Sequence, residues 1–444
     1  MNQAAIKKLS GELDTFIEQL TAGMGRPERR AAMGLYLTGL LLDGERKSIE
    51  PMAARLVDSA GEVQAMRQRL QQCVVVADWA EKETYSRVAE MVEREMPDVE
   101  ALVIDDTGFP KKGDHSVGVQ RQYSGTLGRT ENCQVATSLH LAGEAGSACI
   151  GMRLYLPEIW ANDPARRRKA GVPEDVEFAE KWRVALSLLD DALAAGVRRH
   201  VVLADAGYGD NGEFRRELEV RRLKYVVGVS GTALIWPPAA QPERRSVRGH
   251  IAYVDKKHPP QAMAAFAETL RYRRITWRDG SRGIQRSRFA AVRVRTARAH
   301  HRGSPPSDPL WLLCWWPEGE PRPAKFWLSN LPAETSIKRL VRLAKLRWRI
   351  ERDYQEMKGE LGLDHFEGRT WRGFHHHAAL CAAAHAFLAL RRALFPPEQD
   401  SVDASTGATS PPASGASPAA LVSTLRPARH AQRPTAGVLA DVIE

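Results

Sequence analysis

Two apolar runs that each end in aspartate constrain this chain more than any other feature. The first, ALVIDD, closes at Asp105 and Asp106; the second, VVLAD, closes at Asp205. Short apolar runs bounded by acid and turn residues read as buried strands. Between them, CQVATSLHLA and ACIGMRLYLP read as an antiparallel hairpin, with Gly143 and Gly146 in its turn. EDVEFAEKWRVALSLLDDALAAG then reads as an amphipathic helix stopped at Gly196, and NGEFRRELEVRRL as the helix after the second run. Strand, hairpin, helix, strand, helix is an α/β order with a mixed sheet. In such folds chemistry gathers at the carboxyl ends of parallel strands, and both acidic tips fall there.

The rest of the chain divides around this core. Residues 1–97 read as a helical domain studded with basic residues, including Arg26, Arg29, Arg30, Arg46, Lys47 and Arg55. Two helices around a turn at Asp43–Gly44 are compatible with a helix-turn-helix-like DNA-binding module and equally with an ordinary helical bundle. Residues 98–223 form the first part of the α/β core. Residues 224–332 hold short β-like runs separated by turns and prolines, a β-rich insertion. Helix returns over 333–396, in SIKRLVRLAKLRWRIERDYQEMKGELG and then in FHHHAALCAAAHAFLALRRALF. The tail, 397–444, is rich in Ser, Pro, Ala, Thr and Gly and reads as disordered.

Composition narrows the function classes. The chain has 444 residues and a formal net charge of +10, which favours a polyanionic partner through counterion release. Its five cysteines include no C-x-x-C pair, so a zinc ribbon is not expected and the spacing suits a reducing cytoplasm. The charged N-terminus does not suit a signal peptide, and no stretch has the apolar length of a membrane span. A cytoplasmic, nucleoid-associated protein is expected.

Strand side chains alternate between faces, so only one of Asp105 and Asp106 can face Asp205. A third acid sits in KLRWRIERDYQEMK, where helical spacing puts Arg347, Glu351, Tyr354 and Lys358 on one stripe. Read blandly, that stripe is a set of surface ion pairs worth a few tenths of a kcal/mol, roughly. Three clustered carboxylates repel one another and need a cation. Two Mg2+ ions about 4 Å apart would suit them.

These stretches resemble a known family. VIDDTGFPKKG, NCQVATSLHL, VVLADAGYGD and LRWRIERDYQEMKGELGLDHFEGRTWRGFHHHAAL, in that order, are similar to the DDE transposases of bacterial insertion sequences. The likeness is to the IS701 group, related to the IS4 group, in the branch with a β-rich insertion before the catalytic Glu. It runs over about 98–392. It implies an RNase H-like mixed sheet flanked by helices and a catalytic, metal-holding triad of Asp106, Asp205 and Glu351, with Asp105 as the alternative to Asp106. It implies Mg2+ as the cofactor, two ions, replaceable by Mn2+. The partners it implies are double-stranded DNA (terminal inverted repeats and target) and a second copy of the chain in the DNA complex. The family signature Y-x2-R-x3-E-x6-K falls on Ala344, Arg347, Glu351 and Lys358. The tyrosine is missing, and Tyr354 is the nearest substitute.

Other positions suit DNA contacts. Lys111 and Lys112 follow the first strand and read either as phosphate contacts or as a solvated turn. Residues 271–298 hold ten arginines and one acid; among them Arg286, Arg288, Arg293 and Arg295 would line a charged strand face, unless the charge simply protects an edge strand. Trp315, Trp316 and Trp327 read as core residues first, although relatives stack a flipped base on an aromatic of this domain. Arg369 lies in a turn with Trp371 and Arg372 and is a candidate phosphate contact. His375, His376 and His377 fan around a helix and are expected to face DNA or solvent. The leading expectation is transposition: metal-dependent hydrolysis at transposon ends followed by strand transfer. Its rivals are a non-catalytic DNA-binding derivative and a stand-alone RNase H-like nuclease.

Overall fold

The computed structural model describes residues 3–394 except 126–127, 248–249, 281–282 and 299. The expected disordered tail lies outside the described residues. Five helices open the chain: α1 (Gln3–Thr21), α2 (Pro27–Leu41), α3 (Ile49–Arg55), α4 (Val63–Gln71) and α5 (Glu81–Glu95). The first acidic run lies in β1 (Val99–Pro110), followed by β2 (Gln120–Ser124) and the hairpin β3 (Arg129–Gly143) and β4 (Ser147–Leu154). Two short helices, α6 (Glu158–Ala161) and α7 (Pro164–Ala170), precede α8 (Lys181–Ala194). The second acidic run is β5 (Val201–Ala204), then come α9 (Ala206–Gly209), α10 (Gly212–Val220) and β6 (Tyr225–Val229).

The strands β4, β3, β1, β5 and β6 lie side by side. The first three are antiparallel; β1, β5 and β6 run parallel. This is the RNase H-like arrangement, and the expected mixed α/β class holds.

The insertion contains β7 (Leu234–Trp236), β8 (Glu243–Val247), β9 (His250–Val254), β10 (Gln261–Ala262), α11 (Met263–Glu268), β11 (Arg273–Gly280), β12 (Gly283–Thr296), β13 (Leu310–Trp316) and β14 (Lys325–Ser329). It continues the core sheet: β14 pairs antiparallel with β6, β13 with β14, and β12 with β13. The boundary expected at 224 falls just before β6, a core strand by its parallel pairing with β5. Tyr225–Val229 is apolar throughout and buried, so its composition matches the insertion strands although its neighbours do not.

The last region comprises α12 (Ile337–Leu346), α13 (Arg349–Gly359) and α14 (Trp371–Leu394); the second expected helix is α14, and the first is divided into α12 and α13 at Arg347–Trp348. Ser336 caps α12 by accepting from the Arg339 N–H at 3.2 Å. α14 is apolar on nearly every side, and its residues from Gly373 to Leu390 are buried, as expected of a helix without a polar face. Alanines along it allow close approach to β4, α5 and α2.

One continuous core runs from Leu9 and Phe16 through Tyr36, Leu102, Ile104 and Val202 to Phe387 and Leu390. The N-terminal helices are therefore built onto the α/β body. On the opposite face of the sheet, Ala101, Val103 and Leu203 pack under Leu340, Val341, Ala344 and Ile350 of α12 and α13. All five cysteines are buried and free. Among the described residues, no helix is long and apolar enough to cross a membrane.

The histidines correct an expectation. His375, His376 and His377 do not face DNA or solvent; they are 3%, 2% and 1% exposed. α14 runs through the interior, so every direction around it meets protein. His375 Nε2 accepts from the Leu154 N–H at 3.2 Å. His377 Nε2–H donates to the Gly362 carbonyl at 3.0 Å, and its Nδ1 accepts from the Tyr36 hydroxyl at 2.9 Å. That pairing satisfies a neutral ring.

Burial lowers the His377 pKa from 6.5 to about 4. The unfolded chain then binds a proton that the folded chain refuses over this range. Stability is full above about 6.5 and is lost as the pH falls toward 4. This ring alone should remove about 2 kcal/mol at pH 5. In urea titrations, His377→Gln should lower stability at pH 7 and flatten the loss between pH 7 and 5. An identical loss in the variant would exclude the ring as its source.

Candidate active site on two central strands

The first strand does not close at its acids: β1 runs on to Pro110, paired with β3 throughout, and Asp105 and Asp106 lie just past its parallel pairing with β5, where strand alternation sets their directions. Asp105 continues the row of Ala101 and Val103, on the face covered by α12 and α13. Asp106 continues the row of Leu102 and Ile104, on the opposite face. β5 lies beside β1 with Val103 level with Leu203, so Asp205, just past β5, is level with Asp105 and belongs to the same row. The structure brings Asp105 and Asp205 together and turns Asp106 away.

Each aspartate has a different environment. Burial, first of all, pushes the Asp105 carboxyl up to about 6; Arg347 opposes that shift, and the charge of Asp205 adds to it. Arg347 Nη1 lies 2.5 Å from Asp105 Oδ2, and the Asp106 N–H donates to Asp105 Oδ1 at 2.9 Å. Asp106 is enclosed on its own face. It accepts from Thr137 Oγ1 at 2.9 Å and from the Tyr208 hydroxyl, and pairs with Lys181 at 3.0 Å. Asp205 differs again: its Oδ1 is buried with no hydrogen-bond partner among the described residues. Glycines make this turn possible. A Cβ on Gly209 would collide with the Gly228 carbonyl of β6, which explains the A-G-Y-G sequence after the second acid.

Glu351 stands at the rim. Its side chain is 69% exposed, and its Oε1 lies 3.6 Å from Arg347 Nη2. Arg347 therefore stands between two carboxylates, Asp105 on one side and Glu351 on the other. The break after α12 gives it that place, because Arg347 ends one helix and Glu351 begins the next. Among the described residues, no three His, Cys, Asp or Glu side chains are close enough to share one metal ion. The pair at the strand tips nevertheless fits a divalent cation: two level carboxylates, one with an orphaned oxygen, lower their mutual repulsion by sharing a positive charge.

The expected stripe on α13 is partly turned inward. The Tyr354 hydroxyl is 2.6 Å from Ser138 Oγ. Lys358 donates to the Gly108 carbonyl at 2.8 Å, and burial lowers its pKa to about 8. Lys111 likewise donates to the Phe366 carbonyl at 2.8 Å, whereas Lys112 and Arg369 are exposed. In the insertion, Arg286 and Arg288 lie on one face of β12, and Arg293 and Arg295 on the other. Arg288 donates to the Pro317 carbonyl, Arg293 to the Leu331 and Pro309 carbonyls and Arg295 to the Ser307 carbonyl; Arg286 is exposed. Trp327 is buried, and the Trp315 and Trp316 indoles donate to Ser287 Oγ and the Glu320 carbonyl.

The profile of the DDE superfamily endonucleases matches residues 19–284, more than half of the chain. The chain belongs to this family. The matched segment contains Asp105, Asp106 and Asp205 and ends before Glu351. A probable transposase for insertion sequence element IS701 from Microchaete diplosiphon is 35% identical over 130 residues, 29% of this chain and 31% of that relative. The match thus spans less than a third of the relative's length. DDE endonucleases generally use divalent metals.

A buried relay behind the site escaped the sequence reading. His140 Nδ1 is 2.7 Å from Asp353 Oδ2, His140 Nε2 is 3.0 Å from Ser138 Oγ, and Ser147 Oγ donates to Asp353 Oδ1 at 2.6 Å. It joins β3 and β4 to α13 two residues after Glu351. The signal was present in TSLHL: Ser138 and His140 are two polar residues on one face of an apolar strand.

The geometry predicts that Mg2+ or Mn2+ raises the thermal midpoint of this protein. Ion at ten to a hundred times its Kd stabilises by about 1.4–2.7 kcal/mol. Asp105→Asn and Asp205→Asn should erase that gain in calorimetry, and Asp106→Asn should keep it. A gain that survives in both of the first two variants would separate the ion from the strand tips.

Proposed function

We propose that this protein is a DNA transposase that hydrolyses transposon ends and joins them to target DNA, using Asp105, Asp205 and Glu351. The observation that carries this reading is the level pairing of Asp105 and Asp205 on adjacent parallel strands. Asp105 takes the role that family resemblance implied for Asp106, because only Asp105 shares a face with Asp205 and with α13. Asp106, enclosed by Tyr208, Thr137 and Lys181, ties β1 to β3, α8 and α9.

Asp105, Asp205 and Glu351 would hold Mg2+, two ions in the full arrangement, which when bound supply the charge that activates a water or 3′-OH and stabilises the leaving oxygen. Arg347 balances the acids and orients Glu351 through their shared guanidinium. Buried surroundings exclude water from Asp105 and strengthen each charge interaction there. Lys112, Arg286 and Arg369 are exposed cations suited to backbone phosphates. The helices of 1–97 provide further basic surface for the terminal repeats, and pairing of two ends requires a second copy of the chain.

The test is cleavage of a labelled duplex taken from the DNA flanking the coding sequence. Asp205→Asn or Glu351→Gln should reduce Mg2+-dependent nicking by about 10³-fold or more while end binding persists. Asp105→Asn should match them, and Asp106→Asn should retain more activity. Normal cleavage by the Asp205 and Glu351 variants would reject the triad. Wild-type binding without nicking in Mg2+ or Mn2+ would favour a non-catalytic derivative, and nicking without joining of pre-cut ends a stand-alone nuclease.

A further inference from the structure

A second basic site lies on the other side of the turn that follows Asp205. A cavity of about 330 Å3 opens where β6 ends at Val229 and Ser230, bounded by Asp210, Arg215 and Arg298. Arg215 is 9% exposed, and its Nη1 donates to the Gly209 carbonyl. Arg298 is exposed. Among the described residues neither guanidinium forms an ion pair with a carboxylate. Both converge on Gly212, the first residue of α10. A Cβ there would lie 3.1 Å from Arg298 Nη1 and 3.7 Å from Arg215 Nη2.

This is an unbalanced arrangement. Burial and the nearby charge of Arg298 both pull the Arg215 guanidinium toward neutrality, opposed by Tyr225, Asp210 and Glu219, of which only Asp210 lines the cavity. Asp210 is the cavity's acid, and its Oδ1 already accepts from the Ser230 N–H at 2.8 Å. Two guanidinium groups and one carboxylate leave a net positive charge beside a helix N-terminus. Asn211 caps that helix by accepting from Glu213 and Phe214, so the arginines themselves remain the anion donors. A forked guanidinium pair suits a phosphate.

We propose that Arg215 and Arg298 form a pocket for one backbone phosphate of the DNA substrate, away from the scissile one. It lies at the same end of the parallel strands as Asp105 and Asp205, on the opposite face of the sheet, beside α10. This assignment rests on the transposase reading and adds a contact to it.

The experiment is fluorescence anisotropy of the full chain with a labelled duplex of the flanking DNA, across a salt series. Loss of one phosphate contact should reduce the slope of log K against log salt by about 0.9. Arg298→Ala should show that reduction. Gly212→Asp should show it too, because its carboxylate would sit between the two guanidinium groups. The same variant should melt at or above the wild-type temperature, which separates a lost ligand from a lost fold. Unchanged slopes in both variants overturn the pocket and leave the transposase reading intact. A wild type that binds no DNA overturns both. Wild-type stabilisation by inorganic phosphate that Gly212→Asp abolishes, together with an unchanged DNA slope, assigns the cavity to a free anion and overturns the DNA contact.

Discussion

A carboxylate removed from water must find a counter-charge or give up its own. Asp105 meets that condition with Asp205 beside it, which makes the condition harder to satisfy. Arg347 is the protein's own partial answer. Its guanidinium reaches Asp105 with one nitrogen and Glu351 with the other. The two acids gathered by one arginine come from a strand and a helix 246 residues apart by their numbering, Asp105 to Glu351. Among the described residues Asp205 has no such partner, and its orphaned Oδ1 is what a divalent ion would satisfy.

The placement of those acids depends on a body that does not divide where composition divides. The core beneath β1 and β5 includes residues from α1 and α2 as well as α14. Phe16 and Phe387 meet with ring centroids 5.4 Å apart, joining the first helix to the last. Glu356 of α13 binds Arg392 of α14 with two oxygens at 2.8 Å each. A shift of the N-terminal helices would therefore be felt through α14 at the helix that carries Glu351.

Much of this was legible in the sequence. Apolar runs ending in aspartate located β1 and β5, and alternating Cβ directions required that Asp105 and Asp106 part company. Which one faced Asp205 was not legible, because register between β1 and β5 is set by their pairing and not by either run alone. The helical period also misled. It carried Arg347, Glu351, Tyr354 and Lys358 along one helix, whereas the chain breaks at Arg347–Trp348 without proline or glycine to mark it. The histidines failed for a related reason: three consecutive polar residues look exposed until the alanines on every side of α14 show that the helix is enclosed. β6 was assigned to the insertion because an apolar run does not declare whether its neighbours are parallel.

The break after α12 gives the insertion a part in the site. Lys345, two residues before Arg347, lies 3.1 Å from the centroid of the Trp315 ring and within 6 Å of Trp277 and Phe289. These aromatics belong to β11, β12 and β13. A cation held against aromatic faces gains about 2 kcal/mol when desolvated, and burial lowers the Lys345 pKa to about 8. Leu340 and Leu346 of α12 share a core with Phe289 of β12, Leu313 of β13 and Trp327 of β14. The end of α12 is thus fixed by the insertion, and the position of Arg347 follows from where that helix stops. Because β14 continues the sheet through β6 to β5, the same insertion is also in register with Asp205. A single sheet then sets both the distance between the strand-tip acids and the height of the arginine above them, which a separate domain joined by a flexible linker could not do.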